Sequence, residues 1–238
     1  MRSPYGLNII DNCMTCRVHQ DRLFCSLSPA ALEQLNSIKS TATYPKSAIL
    51  FTEGQQPRGV FILCGGKAKL TASSREGKTI MLKLSSAGEV LGLSAVISNM
   101  PYEVNAELAE AAQVNFIPRE AFLRFLKDNS DVAVRVAEQL SRNYHAAYEE
   151  VRTLGLSASA SERFAKLLTT WLSEANGHSK PGHLTVTLTH EEIAAMIGTS
   201  RETVSRLFSD FKRRRLIEVK GSTLIIRDQK ALESIVDA

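Results

Sequence analysis

Thr189-His190-Glu191-Glu192-Ile193-Ala194-Ala195-Met196-Ile197-Gly198-Thr199-Ser200-Arg201-Glu202-Thr203-Val204-Ser205-Arg206-Leu207-Phe208-Ser209-Asp210-Phe211-Lys212-Arg213-Arg214-Arg215 reads as two short helices around a glycine turn, a helix-turn-helix. Thr189 with Glu192 three residues on forms a capping box for the first helix. Ile193, Ala194 and Ile197 give that helix an apolar stripe, and Gly198 supplies the left-handed turn that ends it. Thr199 or Ser200 then caps the second helix. At about 100° per residue, Arg201, Ser205, Glu202 and Arg206 project at roughly 0°, 40°, 100° and 140°. Leu207, Phe211, Val204 and Phe208 fall between roughly 240° and 340°. One face therefore buries while the other presents two guanidiniums, a carboxylate and a hydroxyl. Arginine suits bidentate capture of guanine O6 and N7, and glutamate accepts from cytosine N4. Lys212, Arg213, Arg214, Arg215 and Lys220 follow, suited to phosphate contacts that position without specifying. A solvated amphipathic helix would share this wheel, but not both caps, the glycine turn and the trailing basic run.

Downstream, Leu216-Ile217-Glu218-Val219 and Thr223-Leu224-Ile225-Ile226 are joined by Lys220-Gly221-Ser222, a hairpin signal. Upstream, residues 184–188 read as a strand. The run Gly198-Thr199-Ser200-Arg201-Glu202-Thr203-Val204-Ser205-Arg206 resembles the recognition element of the CRP/FNR family of bacterial transcription regulators, and the likeness extends over most of the chain. It implies an α+β protein: an N-terminal antiparallel β-roll of the cyclic-nucleotide-binding type, a long dimerisation helix and a C-terminal winged helix-turn-helix. The implied DNA contacts are Thr199, Ser200, Arg201, Glu202, Ser205, Arg206, Lys212, Arg213 and Lys220. The implied partners are double-stranded DNA, a second copy of the chain and RNA polymerase. Arg201, Glu202 and Arg206 together are similar to the CRP-type reading set, which prefers TGTGA half-sites. FNR-type members lack the arginine at the 201 position and prefer TTGAT.

The chain has 238 residues, 44% hydrophobic and 23% charged, with a net charge of +4, so two domains with ordinary cores are expected. The charge is concentrated: residues 201 to 220 hold seven basic and three acidic side chains. No apolar run is long enough for a membrane span and no secretion signal is legible, so a cytosolic protein with no membrane partner is expected. There is no Ser/His/Asp set, paired-carboxylate cleft or phosphate loop, and the chain is read as a non-enzyme. His145, His178, His183 and His190 read as ordinary surface residues.

Four segments are expected: a cysteine-bearing stretch 1–28, a β-roll sensor domain 29–118, helices 119–154 and a DNA-binding domain 155–238. Ser28-Pro29 opens a helix with Leu32, Leu35 and Ile38 on one face. Short apolar runs such as Val60-Phe61-Ile62-Leu63-Cys64 and Thr79-Ile80-Met81-Leu82-Lys83-Leu84, separated by glycine turns and by residues 75–78, predict the roll. A helix from about 131 to 154 carries Ala137, Leu140, Tyr144, Ala147, Val151 and Leu154 alternately 3 and 4 apart, an a/d seam for a two-fold dimer. The same stripe could pack on the roll, and Val132 and Val136 offer a second apolar line. Residues 155–161 are small and read as a hinge.

The family's cyclic-nucleotide members carry Gly-Glu-Leu and, ten residues on, an arginine beside a hydroxyl residue. Matching places Leu93 at the glutamate position, Glu103 at the arginine position and Val104 at the hydroxyl position. A carboxylate facing a phosphodiester repels it, so cAMP is not expected; the pocket is filled by side chains or takes an uncharged ligand. Three of the four cysteines, Cys13, Cys16 and Cys25, lie near the N-terminus. In a cytosolic protein such clustering points to metal or redox chemistry. FNR-like members hold a 4Fe-4S cluster on three N-terminal cysteines spaced x2 and x5 plus one distant cysteine. Here Cys16-x2-His19-x5-Cys25 has that spacing with histidine in the middle, and Asn115 stands at the distant position. Three readings stay open. Cys13, Cys16, Cys25 and Cys64 hold a 4Fe-4S cluster; or Cys13, Cys16, His19 and Cys25 form a zinc or thiol-redox site; or no cofactor binds, Cys64 being a small core residue and Cys25 a small helix-entry residue.

Overall fold

The structure, a computed structural model, describes residues 5–7, 9–16, 23–74, 79–156, 159–175, 182–185, 188–221 and 223–236. The turn expected at 75–78, His19, Val186, Thr187 and Ser222 lie outside them. A single 3-10 turn at Cys13–Thr15 precedes the first helix, Pro29–Ile38 (α1), which Ser28 caps by accepting from the Ala31 amide. The strands that follow are Ser40–Tyr44 (β1), Ile49–Phe51 (β2), Gly59–Gly65 (β3), Lys67–Ser73 (β4), Thr79–Ser86 (β5), Val90–Leu91 (β6), Asn105–Leu108 (β7) and Ala112–Pro118 (β8). A short helix, Leu93–Ser98 (α2), lies between β6 and β7. These strands make two antiparallel four-stranded sheets, ordered β1-β8-β3-β6 and β2-β7-β4-β5. This is the roll the glycine-punctuated runs predict.

Residues alternate sides along a strand, and in β3 both sides are buried. Phe61 and Leu63 enter a cluster with Phe51, Ala68, Leu91, Tyr102, Leu108 and Val114 inside the roll. Val60 and Ile62 enter a second cluster with Phe24, Leu32, Leu35, Phe122, Phe125, Val132 and Val136. In β8, paired to β3 with Ile62 opposite Asn115, Ala112 and Val114 face inward and Ile117 joins the second cluster. Cys64 follows Ile62 at an irregularity in that register, between Leu63 and Gly65.

Helices Arg119–Asp128 (α3) and Ser130–Leu156 (α4) follow. Phe122 and Phe125 of α3 pack against Phe24, whose ring meets that of Phe122 edge-on at 5.9 Å. Val132 and Val136 of α4 are buried in the same cluster, so the second apolar line packs on the roll, joined by Leu140 of the first. Two compact units are formed, Met1–His145 and Ala146–Ala238. The division falls within α4, which runs through Gly155; the expected hinge at 155–161 thus begins inside the helix.

The second unit contains Ala160–Ala175 (α5), His183–Thr185 (β9), His190–Met196 (α6), Arg201–Arg213 (α7), Ile217–Lys220 (β10), Thr223–Ile226 (β11) and Gln229–Val236 (α8). The three strands form an antiparallel sheet ordered β10-β11-β9. Phe164, Leu168, Ile193, Val204, Phe208, Phe211, Ile217, Leu224 and Leu232 form its core. Val204, Phe208 and Phe211 are the buried arc of the helical wheel.

Candidate functional site: nucleic-acid interface and thiol cavity

The α6–turn–α7 geometry is set by caps. Thr189 accepts from the Glu192 amide, and Glu192 accepts from the Thr189 amide at 2.7 Å, completing the box. Gly198 takes a left-handed φ of 61°, and the Thr199 amide reaches back to the Ala194 carbonyl at 3.0 Å. That six-to-one bond is a Schellman stop. Arg163 of α5 donates to the Ile197 carbonyl at 2.7 Å, pinning the turn to the domain. Of the two candidate caps for α7, Ser200 is the one used: its hydroxyl accepts from the Thr203 amide at 3.2 Å.

Arg201, Glu202 and Arg206 stand exposed on α7, and Ser200, Lys212, Arg213 and Lys220 are exposed beside them. Thr199 and Ser205 are half-buried. Bonds from its own backbone N–H and from Ser200, aided by Arg201 and Arg206, hold the Glu202 carboxyl below its usual range. It is thus a carboxylate acceptor at a helix N-terminus. Arg213 and Arg214 both pair with Asp210, and Lys220 pairs with Glu218 at 3.0 Å.

His190 departs from the expectation of an ordinary surface residue. Its Nδ1 lies 2.9 Å from the Ser205 hydroxyl, and its ring stacks on Phe208 with centroids 4.7 Å apart. Ser205 donates its one hydroxyl proton to the Arg201 carbonyl at 3.1 Å. His190 is therefore the donor, through an Nδ1–H. The Ser205 hydroxyl, expected among the DNA contacts, is occupied in joining α6 to α7. No spacing rule would reveal this, because the partners are 15 residues apart on different helices.

In the first unit, Cys13, Cys16, Cys25 and Cys64 line one cavity of about 30 Å³ together with Phe24, Leu35, Ile62, Leu63 and Asn115. Each cysteine is brought there separately. The amide of Cys13 donates to Asn36 Oδ1 at 3.1 Å, and Asn36 in turn donates to Asn12 at 2.9 Å. The Ile10 backbone exchanges two bonds, 2.8 and 2.7 Å, with the buried amide of Gln113. Cys25 follows Phe24, anchored on α3, and Cys64 lies beyond Ile62 on β3. Burial pushes the Cys64 thiol up to about 12, and the Cys13, Cys25 and Cys16 sulfurs push the same way. Burial also raises Cys13, against the pull of Lys39. A bound cation would offset the cost of ionising Cys13 and Cys64 there. Among the described residues, no group of three or more Cys, His, Asp or Glu side chains is placed to hold a single metal ion.

Residues 41–129 match the cyclic nucleotide-binding domain family, and residues 162–235 match the Crp-like helix-turn-helix domain family. The chain is 25% identical over 212 residues to the CRP-like cAMP-activated global transcriptional regulator of Mycobacterium tuberculosis, covering 88% of this chain and 94% of that protein. It belongs to the CRP/FNR family of transcription regulators. A second relative, the cyclic AMP receptor protein of Thermus thermophilus, is 26% identical over 213 residues, 90% of this chain and 95% of that protein. FixK2 from Bradyrhizobium japonicum shares the fold with a TM-score of 0.76 at 19% identity, covering 84% of this chain and 98% of that one.

In this CRP/FNR regulator the positions matched to nucleotide contacts have other surroundings. Leu93 is buried in the second core cluster, Val104 packs against the roll interior and Glu103 is exposed. Tyr102 stacks on Phe51 at 4.0 Å and donates to the Gly59 carbonyl at 2.6 Å. A Cβ at Gly92 would stand 2.7 Å from the Tyr102 ring. Along α4, Leu140 packs partly on the roll, whereas Ala137, Tyr144, Ala147 and Val151 are exposed in the single chain. The Leu154 side chain lies outside the described residues. Among the described residues, no helix is long and apolar enough to cross a membrane.

His190→Ala should destabilise the DNA-binding unit by about 1 kcal/mol, the net value of one hydrogen bond. His190→Asn, whose amide nitrogen replaces Nδ1, should recover most of that loss. Thermal unfolding of the two variants beside wild type checks the role. Equal stability of wild type and His190→Ala would remove it.

Proposed function

We propose that this regulator binds a palindromic operator with TGTGA-like half-sites as a homodimer and takes a redox signal, such as oxygen or nitric oxide, through a 4Fe-4S cluster held by Cys13, Cys16, Cys25 and Cys64. The convergence of all four cysteines on one cavity carries the sensor reading. The thiols are soft ligands suited to iron, and Phe24, Leu35, Ile62 and Leu63 keep the surroundings apolar. Four thiols on one cavity match the four-thiolate ligand set of such a cluster, and His19, the zinc alternative's fourth ligand, lies outside the described residues. When bound, such a cluster supplies an oxidant-sensitive centre. Cys13 and Cys16 hold it from the N-terminal segment, and Cys25 and Cys64 from the body of the unit. With the buried Leu93 and the acidic Glu103, cAMP is not the proposed effector, although the two relatives are named for it. The domain reading stays as 1–28, 29–118, 119–154 and 155–238, with RNA polymerase as a further partner.

The exposed stripe Ala137–Tyr144–Ala147–Val151 supports the two-fold interface, because apolar side chains at a/d spacing gain by meeting their mates. Tyr144→Glu with Val151→Glu touches side chains exposed in the monomer. The pair should turn a dimer into a monomer by light scattering; a persisting dimer would move the interface elsewhere. On DNA, Arg201→Ala should lose roughly 1–3 kcal/mol of affinity and relax one guanine position in fluorescence anisotropy titrations. Equal binding of wild type to TGTGA-bearing and scrambled duplexes would refute the operator assignment.

Protein purified without air should be brown and contain iron and sulfide, and air should bleach it. Cys64→Ser should lose that iron. Retained iron in Cys64→Ser would make another group the fourth ligand, and colourless protein with zinc would replace the cluster. Metal-free protein binding its operator equally in air and under nitrogen would leave the cysteines no sensing role.

A further inference from the structure

One wall of the thiol cavity is polar. Asn115, 1% exposed, sits in β8 directly opposite Thr41 of β1 on one side and Ile62 of β3 on the other. The Thr41 hydroxyl donates to Asn115 Oδ1 at 2.8 Å, and the Lys39 ammonium donates to Thr41 Oγ1 at 2.9 Å. Asn115 Nδ2 is left facing Cys13 Sγ at 3.9 Å. Lys39 gives this chain its direction. An ammonium has no acceptor, so Thr41 must accept from Lys39, and its single hydroxyl proton goes to Asn115. The amide oxygen is thereby committed to Thr41, and the amide cannot turn over without breaking that bond. A buried N–H donor thus faces the sulfur.

We propose that Lys39, Thr41 and Asn115 form a polarised relay that positions the Asn115 N–H on the Cys13 sulfur and sets the redox potential and oxidant resistance of the cluster. The inference rests on the cluster reading above. Hydrogen bonds to ligand sulfurs withdraw electron density and favour the more negative, reduced state, so they raise the potential. In an apolar cavity one such donor counts for more than it would in water. The ammonium at the far end strengthens it by polarising both intervening bonds. Asn115 of β8 thus supplies a donor to one thiol, while Cys64 on the neighbouring β3 supplies another thiol to the same cavity.

The test uses the full-length protein, purified anaerobically, as wild type, Asn115→Leu, Thr41→Val, Thr41→Ser and Lys39→Met. Iron content, the midpoint potential from a dye-mediated titration and the rate of bleaching in air are read for each. Asn115→Leu and Thr41→Val should load iron, with a more negative midpoint and roughly tenfold faster bleaching, the size of one lost bond to a charged group. A tenfold change in a one-electron equilibrium corresponds to about 59 mV. Lys39→Met should shift less in the same direction, and Thr41→Ser should stay at the wild-type value. If Asn115→Leu does not fold or load, Thr41→Val still decides, since it keeps the amide and the Lys39 charge that acts on Cys13 directly. Loaded variants with wild-type potential and bleaching rate would overturn the relay while leaving the cluster intact. Iron-free, colourless wild type would overturn both.

Discussion

Two-sided burial of β3 is the constraint on which the N-terminal unit rests. Phe61 and Leu63 close the roll from inside, while Val60 and Ile62 bind the helices and the N-terminal segment from outside. A one-residue slip would exchange these sets and lose both cores. The same register puts Asn115 beside Ile62 and brings Cys64 to the outer face, under the segment that carries Cys13 and Cys16. The thiol cavity is therefore a product of strand parity. Its outer wall exists because the β-sheet presents its second side to something other than water.

The DNA-binding unit depends on a different economy of contacts. Two short helices hold their angle through end caps, a Schellman stop at Gly198, the Arg163 bond to Ile197 and the His190–Ser205 bond, leaving Arg201, Glu202 and Arg206 exposed on α7. At the far end, Arg215 adopts a left-handed φ of 58° so that the Leu216 amide can return to the Phe211 carbonyl. A non-glycine residue there is strained by the Cβ clash that disfavours left-handed backbone. The chain tolerates it where α7 hands over to β10, keeping an exposed guanidinium at that corner.

Helix starts and the apolar faces were legible because capping chemistry and periodicity are local: Ser28, Thr189 and Ser200 cap the helices where such residues should. The hairpin after Arg215 and the roll were readable for the same reason. What sequence alone left undecided depends on contacts between distant residues. The two apolar lines of α4 cannot be ranked without the roll, which takes Val132 and Val136 and leaves Tyr144 and Val151 outside. His190 looks like surface until Ser205 and Phe208 are set beside it. Asn115 looked like a missing ligand. Its signal was present, since Gln113 and Asn115 are polar residues at alternate positions of a strand otherwise apolar on both faces, but their partners lie about 74 to 103 residues away.

Residues 9–16 are tied down by side chains: Gln113 on Ile10, Asn36 on the Cys13 amide and Lys39 on the Asp11 carbonyl. Strands of the roll are held instead by continuous backbone ladders. A handful of bonds at about 1 kcal/mol net each is less than the stability of a whole domain. Releasing those bonds would cost less than unfolding the roll, the condition for the sub-global opening that hydrogen exchange detects. Such opening would take Cys13 and Cys16 away from Cys25 and Cys64. By linkage, whatever engages all four sulfurs tightens the segment by the same free energy with which the docked segment tightens it. Occupancy of the cavity and exchange protection of residues 9–16 are two readings of one equilibrium.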